Sequence, residues 1–151
     1  MSDSPLLERI KQDTIAAMKA GERDTVGILR MLQASIKQVE VDTRKELDDA
    51  AVVKVLRGYA KKVKDSLASA RDAGRDDLVA AAERELALVE RYLPAELDDA
   101  ALEAQVKAVI AETGAASPRD MGKVMKAAMA RLQGQADGSR VSAVARRLLG
   151  G

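Results

Sequence analysis

Aromatic side chains are almost absent from this chain of 151 residues, and their absence limits the folds open to it. There is no Phe and no Trp, and the two aromatic residues are Tyr59 and Tyr92. A hydrophobic core must therefore be built from Leu, Val, Ile, Ala and Met. Strands favour aromatic and β-branched side chains, whereas close-packed helices accept Ala and Leu readily. We therefore predict an all-α fold.

The residue types that are missing exclude several kinds of functional site. The chain contains no Cys and no His. This excludes disulfide bonds, Cys/His zinc sites, a Cys nucleophile and His-based catalytic triads. We identify no catalytic residues, and we predict no metal site and no cofactor. The net charge is +1, so the chain as a whole is not a polycation that would bind nucleic acids without selectivity.

The sequence lacks the segments that direct a protein into a membrane. Residues 1–9 contain no apolar signal core, and no apolar stretch approaches the length of a membrane span. We therefore expect a soluble, cytoplasmic protein with no membrane partner.

Start signals divide the first part of the chain into four helices. Asp24 is predicted to cap the second helix and Asp48 the third. Asp76 or Asp77 begins the fourth, which we expect to run to Tyr92. The residues at helical spacing on the inner faces are Leu7, Ile10, Thr14, Ala17 and Met18 in the first helix, Ile28, Leu32, Ile36 and Val39 in the second, and Val52, Leu56, Tyr59, Val63 and Leu67 in the third.

A proline marks the predicted domain boundary. Pro94 disfavours a helical conformation at Leu93, so the fourth helix must end there. We place the boundary between these two residues. The prediction is an N-terminal four-helix domain over residues 1–93 and a compact three-helix tail domain over residues 94–151.

The tail domain carries three further helix starts. Asp98 is predicted to cap the fifth helix, and Gly114 to end it. Ser117 followed by proline is a strong start signal for the sixth helix. Asp137 or Gly138 opens the seventh.

A short similarity links the starts of two helices. The segment Glu46–Val52 recurs as Glu96–Leu102, and each copy places an Asp cap between two apolar residues. We interpret this as one kind of helix start used twice, because the match does not extend further. A metal site at the paired Asp residues is the weaker alternative, since anions are favoured at helix N-termini.

Positive charge is concentrated in residues 117–147, where the anions are Asp120 and Asp137. On the sixth helix, cations recur opposite an apolar face, as helical spacing requires. The apolar face consists of Met121, Val124, Met125, Ala128, Met129 and Leu132. The cations of the segment are Arg119, Lys123, Lys126, Arg131, Arg140, Arg146 and Arg147.

Backbone groups in the same segment could approach an anion. Free N–H groups and the helix dipole make the start of the seventh helix suitable for a phosphate. The candidate positions are Gly122, Gly134, Gly138 and Ser139. Two alternatives stay open: a basic stripe is typical of a solvated helix face, and such glycines are typical of caps and turns.

Four segments carry a resemblance to a known family. They are LRMLQASIK at 29–37, YLPAEL at 92–97, DMGKVM at 120–125, and GQADGS at 134–139 followed by VS at 141–142. Over nearly its full length the chain resembles the YqeY family. Members of that family are similar to the C-terminal helical and tail region of GatB, the B subunit of the glutamine-dependent aspartyl/glutamyl-tRNA amidotransferase.

The resemblance implies an N-terminal helical domain followed by a small tail domain that contacts tRNA. It also implies an association with carbon–nitrogen ligase activity that uses glutamine as amido donor. The implied partners are tRNA and components of the amidotransferase or of aminoacyl-tRNA synthetases.

The residues themselves favour folded RNA over single strands, because the tail lacks the aromatic side chains on which bases stack. We expect Lys123, Lys126, Arg140 and Arg147 to contact the tRNA backbone, with Arg119, Arg131 and Arg146 as lesser contributors. Two other functions stay open. One is an amidotransferase accessory subunit, and the other is a protein–protein adaptor that docks through exposed residues such as Val41 or Val53.

Overall fold

The structure, a computed structural model, describes residues 4–150, and all of its regular elements there are helical. This confirms the predicted all-α fold. The chain divides after Leu93 into two compact parts, here called the first unit and the second unit. The helices are α1 Pro5–Lys19, α2 Arg23–Thr43, α3 Asp49–Asp72, α4 Asp76–Glu90, α5 Asp99–Thr113, α6 Met121–Leu132 and α7 Gly138–Leu148, with a 3-10 turn at Pro118–Asp120.

The first unit is a four-helix arrangement around an aliphatic core. α1 packs against α2, α3 packs against α4, and α3 also contacts both α1 and α2. A smaller apolar cluster lies between α3 and α4. The side chains at the centre of the main core are Ile10, Leu29, Leu32, Ile36, Val52, Leu56 and Val89.

Side-chain caps fix the starts of α1 and α3. Ser4 Oγ accepts a hydrogen bond from Leu7 N at 3.0 Å and donates one to Asp49 Oδ1. Asp48 caps α3 as predicted, since its carboxylate accepts from Ala51 N at 2.9 Å. Because Asp49 lies in the first turn of α3, its bond to Ser4 joins the starts of the two helices.

The second helix begins two residues earlier than its predicted Asp24 cap allows. Gly21 adopts a left-handed conformation with φ of +73°, which reverses the chain directly after α1. The helix can then restart at once, and the carbonyl of Glu22 accepts from Val26 N at 3.0 Å. Asp24 lies in the first turn instead. α4 likewise ends at Glu90 rather than at Tyr92.

Two side chains of the first unit, Met18 and Val53, differ from the predicted pattern of exposure. Met18, expected on the buried face of α1, is 52% exposed, because it lies at the edge of the stripe formed by Ile10, Thr14 and Ala17. Val53, offered as a docking residue, is buried, whereas Val41 is 59% exposed.

The second unit is a three-helix bundle in which each helix contacts the other two. The backbone N–H of Leu97 donates to the carbonyl of Gln135 at 2.9 Å, which joins the segment before α5 to the turn before α7. The bundle core is built from Leu102, Val106, Val109, Val124, Ala128, Leu132, Ala136, Val141, Ala145 and Leu149.

The predicted caps at Asp98 and Gly114 are present, whereas Ser117 precedes the 3-10 turn Pro118–Asp120 and α6 itself begins at Met121. Asp98 accepts from Ala101 N at 2.7 Å, and Gly114 ends α5 with φ of +70°. Met129, expected on the buried face of α6, is 37% exposed. Among the helices described in the two units, none is both long enough and apolar enough to span a bilayer.

Candidate nucleic-acid interface

A carboxylate holds the segment that precedes α6. Asp120 accepts hydrogen bonds from the backbone N–H of Ala116 at 2.9 Å and of Ser117 at 3.3 Å. These two bonds hold the pKa of Asp120 below its usual value, and the nearby charge of Lys123 lowers it further. Asp120 is therefore an anion at the first turn of the candidate surface.

Three cations lie at helical spacing opposite the apolar side of α6, and we call them the basic face: Arg119 in the 3-10 turn, and Lys123 and Lys126 on α6. All three are exposed, whereas Val124 and Ala128 on the opposite side are fully buried. The side chains of the basic face form no hydrogen bond and no ion pair with residues 4–150. They are therefore available to an external anion.

Two arginines of the tail are engaged by α5. The guanidinium group of Arg131 donates to Gln105 Oε1 at 2.8 Å and to Glu112 Oε1 at 2.7 Å. Arg147 lies 3.6 Å from a carboxylate oxygen of Glu103. Both arginines remain partly exposed, and ion pairs at a protein surface contribute little to stability, so each of these pairs is weak.

Arg140 is the most strongly held cation of the second unit. Its Nη2 donates to the carbonyl of Leu97 at 2.9 Å and to Asp99 Oδ1 at 3.0 Å. The Arg140 side chain is 29% exposed. Its contacts join α7 to the start of α5, so the structure gives it a role within the bundle.

The N-terminus of α7 already carries an anion. Asp137 Oδ1 accepts from Arg140 N at 2.9 Å and from the hydroxyl of Ser139 at 2.7 Å. The pKa of Asp137 lies below its ordinary value, first because of the Ser139 hydroxyl and then because of the Arg140 backbone N–H. A phosphate bound at this helix end would therefore have to compete with the carboxylate of Asp137 for the backbone N–H groups.

The remaining candidate positions differ in their surroundings. Gly134 adopts φ of +85°, which explains a glycine in the turn. A Cβ atom at Gly122 or Gly138 would meet nothing within 4 Å, so packing does not require glycine at either place. Arg146 is exposed and forms no ion pair within the described part of the chain.

Sequence reasoning missed the carboxylates of α5. Asp99 and Glu103 lie four residues apart, and the arginines that they contact, Arg140 and Arg147, lie seven residues apart. The spacing of four residues between Asp99 and Glu103 places both carboxylates on one side of α5, and this could have been seen in the sequence. Matching it to α7 requires knowledge of how the helices dock, which periodicity does not supply.

The described residues contain no group of three or more Asp or Glu side chains placed to hold a metal ion.

The sequence model of a family described as Yqey-like protein matches residues 7–149. The chain belongs to the YqeY family. No curated protein matches it significantly. The YqeY segment at 120–125 forms the start of α6 and contributes Lys123, while the YqeY segment at 29–37 lies within α2.

Proposed function

We propose that this YqeY protein is a cytoplasmic tRNA-binding accessory factor related to the glutamine-dependent tRNA amidotransferase, and that it contacts the tRNA backbone through the basic face. The observation that carries the proposal is that Arg119, just before α6, and Lys123 and Lys126 on α6 are exposed and form no hydrogen bond or ion pair with the described residues. Arg146 on α7 is a further exposed cation that forms no ion pair within residues 4–150.

The ion pairs divide the seven candidate cations into two groups. Arg131, Arg140 and Arg147 would have to leave carboxylates of α5 before binding phosphate. The basic face needs no such exchange. We therefore assign the main phosphate contacts to the basic face and a structural role to Arg140.

The spacing of the basic face suits a polyanion. Lys123 and Lys126 are separated by about 4.5 Å of helix rise, and long flexible side chains allow their ammonium groups to reach separate phosphates. The face lacks aromatic side chains, so recognition would rest on the shape and backbone of folded RNA.

A gel-shift titration against total tRNA tests the proposal. The variant Lys123→Glu with Lys126→Glu should bind tRNA at least about tenfold more weakly, because two phosphate contacts become repulsive. The matched control is Lys61→Glu with Lys64→Glu, which makes the same change in net charge on exposed positions of α3. That control should bind tRNA like the unmodified protein.

Salt dependence gives an independent measure. If the four unpaired cations neutralise four phosphates, the logarithm of the affinity should fall with the logarithm of salt concentration with a slope of roughly −3. If both charge-reversal variants weaken tRNA binding equally, or if neither weakens it, the basic face is not the tRNA-binding surface.

The family relationship also supports participation in amide transfer, as an accessory subunit with partner proteins. Glutamine-dependent transfer onto mischarged tRNA should then be stimulated when this chain is added to amidotransferase subunits. Absence of stimulation in every combination, with tRNA binding retained, would leave the binding role alone.

A further inference from the structure

An open cavity of about 420 Å³ lies between α1 and α2 of the first unit, and its lining includes none of the residues that carry the proposed function. Its polar and small lining residues are Lys11, Arg30, Gln33, Ala34, Lys37 and Glu40. Four of them belong to the YqeY segment at 29–37, which the proposed function does not use.

One small side chain, Ala34, lies between two long cations in the lining of the cavity. Arg30, Ala34 and Lys37 follow one another at intervals of four and three residues, so they share one side of α2. Ala34 between the two long cations leaves a recess in the helix surface. The buried residues Leu7 and Ile36 complete the apolar part of the lining.

The charge of the lining favours an anion. Three cations oppose the single carboxylate of Glu40, which gives a net charge of +2. Glu40 lies 3.9 Å from Lys37 Nζ, a long and weak pair. Arg30 contacts only the sulfur of Met18 at 3.7 Å, and Lys11 forms no ion pair within residues 4–150.

One uncharged group of the lining is held in place. Gln33 Nε2 donates to Thr14 Oγ1 at 2.8 Å, and the Thr14 hydroxyl donates to the carbonyl of Ile10 at 2.7 Å. This chain crosses from α2 to the buried side of α1. It orients the Gln33 amide, whose carbonyl oxygen can accept a hydrogen bond from a ligand hydroxyl group.

We propose that this cavity binds a small ligand that carries a phosphate monoester. A monoester has a charge near −2 at neutral pH and three terminal acceptor oxygens, which match the net charge of the lining. A backbone phosphate of RNA carries a single negative charge, so it fits the same lining less well. The proposal rests on the first unit and is independent of the basic face.

Nuclear magnetic resonance titration of the full chain tests the site with three probes: inorganic phosphate, AMP and adenosine. Inorganic phosphate and AMP should shift amide resonances of residues 7–14 and 30–40, and adenosine should not. The variant Arg30→Gln with Lys37→Gln should weaken AMP binding by about tenfold or more. The control Lys61→Gln with Lys64→Gln removes the same charge from α3 and should leave AMP binding unchanged.

A second variant tests the recess without changing charge. Ala34→Leu fills it at an exposed helical position where both residues are good helix formers, so the fold should persist. AMP shifts should disappear in this variant. The proposal is overturned if phosphate and AMP cause no local shifts, or if Ala34→Leu binds AMP normally. It is also overturned if Ala34→Leu weakens tRNA binding while AMP does not bind. Failure of the basic-face variants alone would leave this site intact.

Discussion

At the scale of single residues, each tyrosine of the first unit directs its hydroxyl group to a carboxylate. Tyr92 donates to Asp13 Oδ2 at 2.6 Å, and the guanidinium carbon of Arg9 lies 4.9 Å from its ring centroid. Tyr59 donates to Glu85. Burial first, and then the Asp13 carboxylate, raise the pKa of Tyr92 to about 12. Burial and Glu85 raise the pKa of Tyr59 further still.

These raised pKa values predict an unusual alkaline titration. Ultraviolet absorbance of the folded protein should show almost no tyrosinate at a pH of about 10, where both tyrosines would be half ionised in urea. The chain has two tyrosines, so the signal reports these sites directly. Half ionisation of the folded protein at the ordinary pKa would contradict the buried hydrogen bonds.

The same shift predicts how stability depends on pH. A pKa raised on folding stabilises the folded state below the unfolded pKa of about 10. That stabilisation is lost as the pH rises through the folded pKa of about 12. Tyr92→Phe should therefore cost about 1 kcal/mol in urea unfolding at neutral pH. The difference from the unmodified protein should shrink across the alkaline range. A difference that stays constant with pH would contradict this prediction.

At the scale of elements, side-chain caps decide where helices begin, and they separate true starts from apparent ones. Asp48 and Asp98 each accept a backbone N–H three residues ahead, whereas Asp24 accepts none from the described residues. Asp48→Ala or Asp98→Ala should lower the free energy of unfolding by about 1 kcal/mol. Asp24→Ala, the control, should change it by a few tenths at most. If Asp24→Ala lowers the free energy of unfolding as much as the other two variants, Asp24 caps α2 after all, as the sequence predicted.

The contacts of α7 predict that two of its arginines, Arg140 and Arg146, contribute differently to stability. Arg140→Gln removes contacts with Leu97 and Asp99 and should lower the free energy of unfolding by about 1 kcal/mol. Arg146→Gln, which breaks no ion pair of the described residues, should be neutral for stability. Thermal unfolding followed by circular dichroism compares the two. If Arg140→Gln is stable but weakens tRNA binding, the guanidinium group serves the ligand instead.

Helical periodicity and caps were enough to predict the elements, but their exact limits depended on local backbone conformation. The seven helices follow from apolar spacing and from signals such as Asp98 and Gly114. The start of α2 was wrong because the left-handed turn at Gly21 lets the helix restart before Asp24. Met129 was assigned to the buried face because spacing alone cannot measure how far a neighbouring helix extends over it.

At the scale of the whole molecule, the two units have separate hydrophobic cores that share no residue. Val106→Ala should leave a cavity in the second unit and cost about 2 kcal/mol. Amide hydrogen exchange should then accelerate in α5–α7 while protection in α1–α4 stays unchanged. The control Val52→Ala, in the first unit, should give the reverse pattern. Loss of protection throughout the chain in either variant would show that the units unfold together.

The sequence was enough to predict which cations lie in the candidate site, but it could not predict which of them form ion pairs within the protein. Helical spacing placed Lys123 and Lys126 opposite Val124, and the structure places them there. The same reasoning treated Arg140 as an equal candidate. Its bond to Asp99 joins residues 41 positions apart, and that contact depends on how α5 and α7 pack.

Both tyrosines belong to the first unit, which also has a consequence for spectroscopy. Intrinsic fluorescence will follow the melting of that unit alone, since the second contains no emitting side chain. An unfolding curve recorded by emission could look complete while the tail bundle is still folded, so an apparent midpoint from emission describes the first unit only.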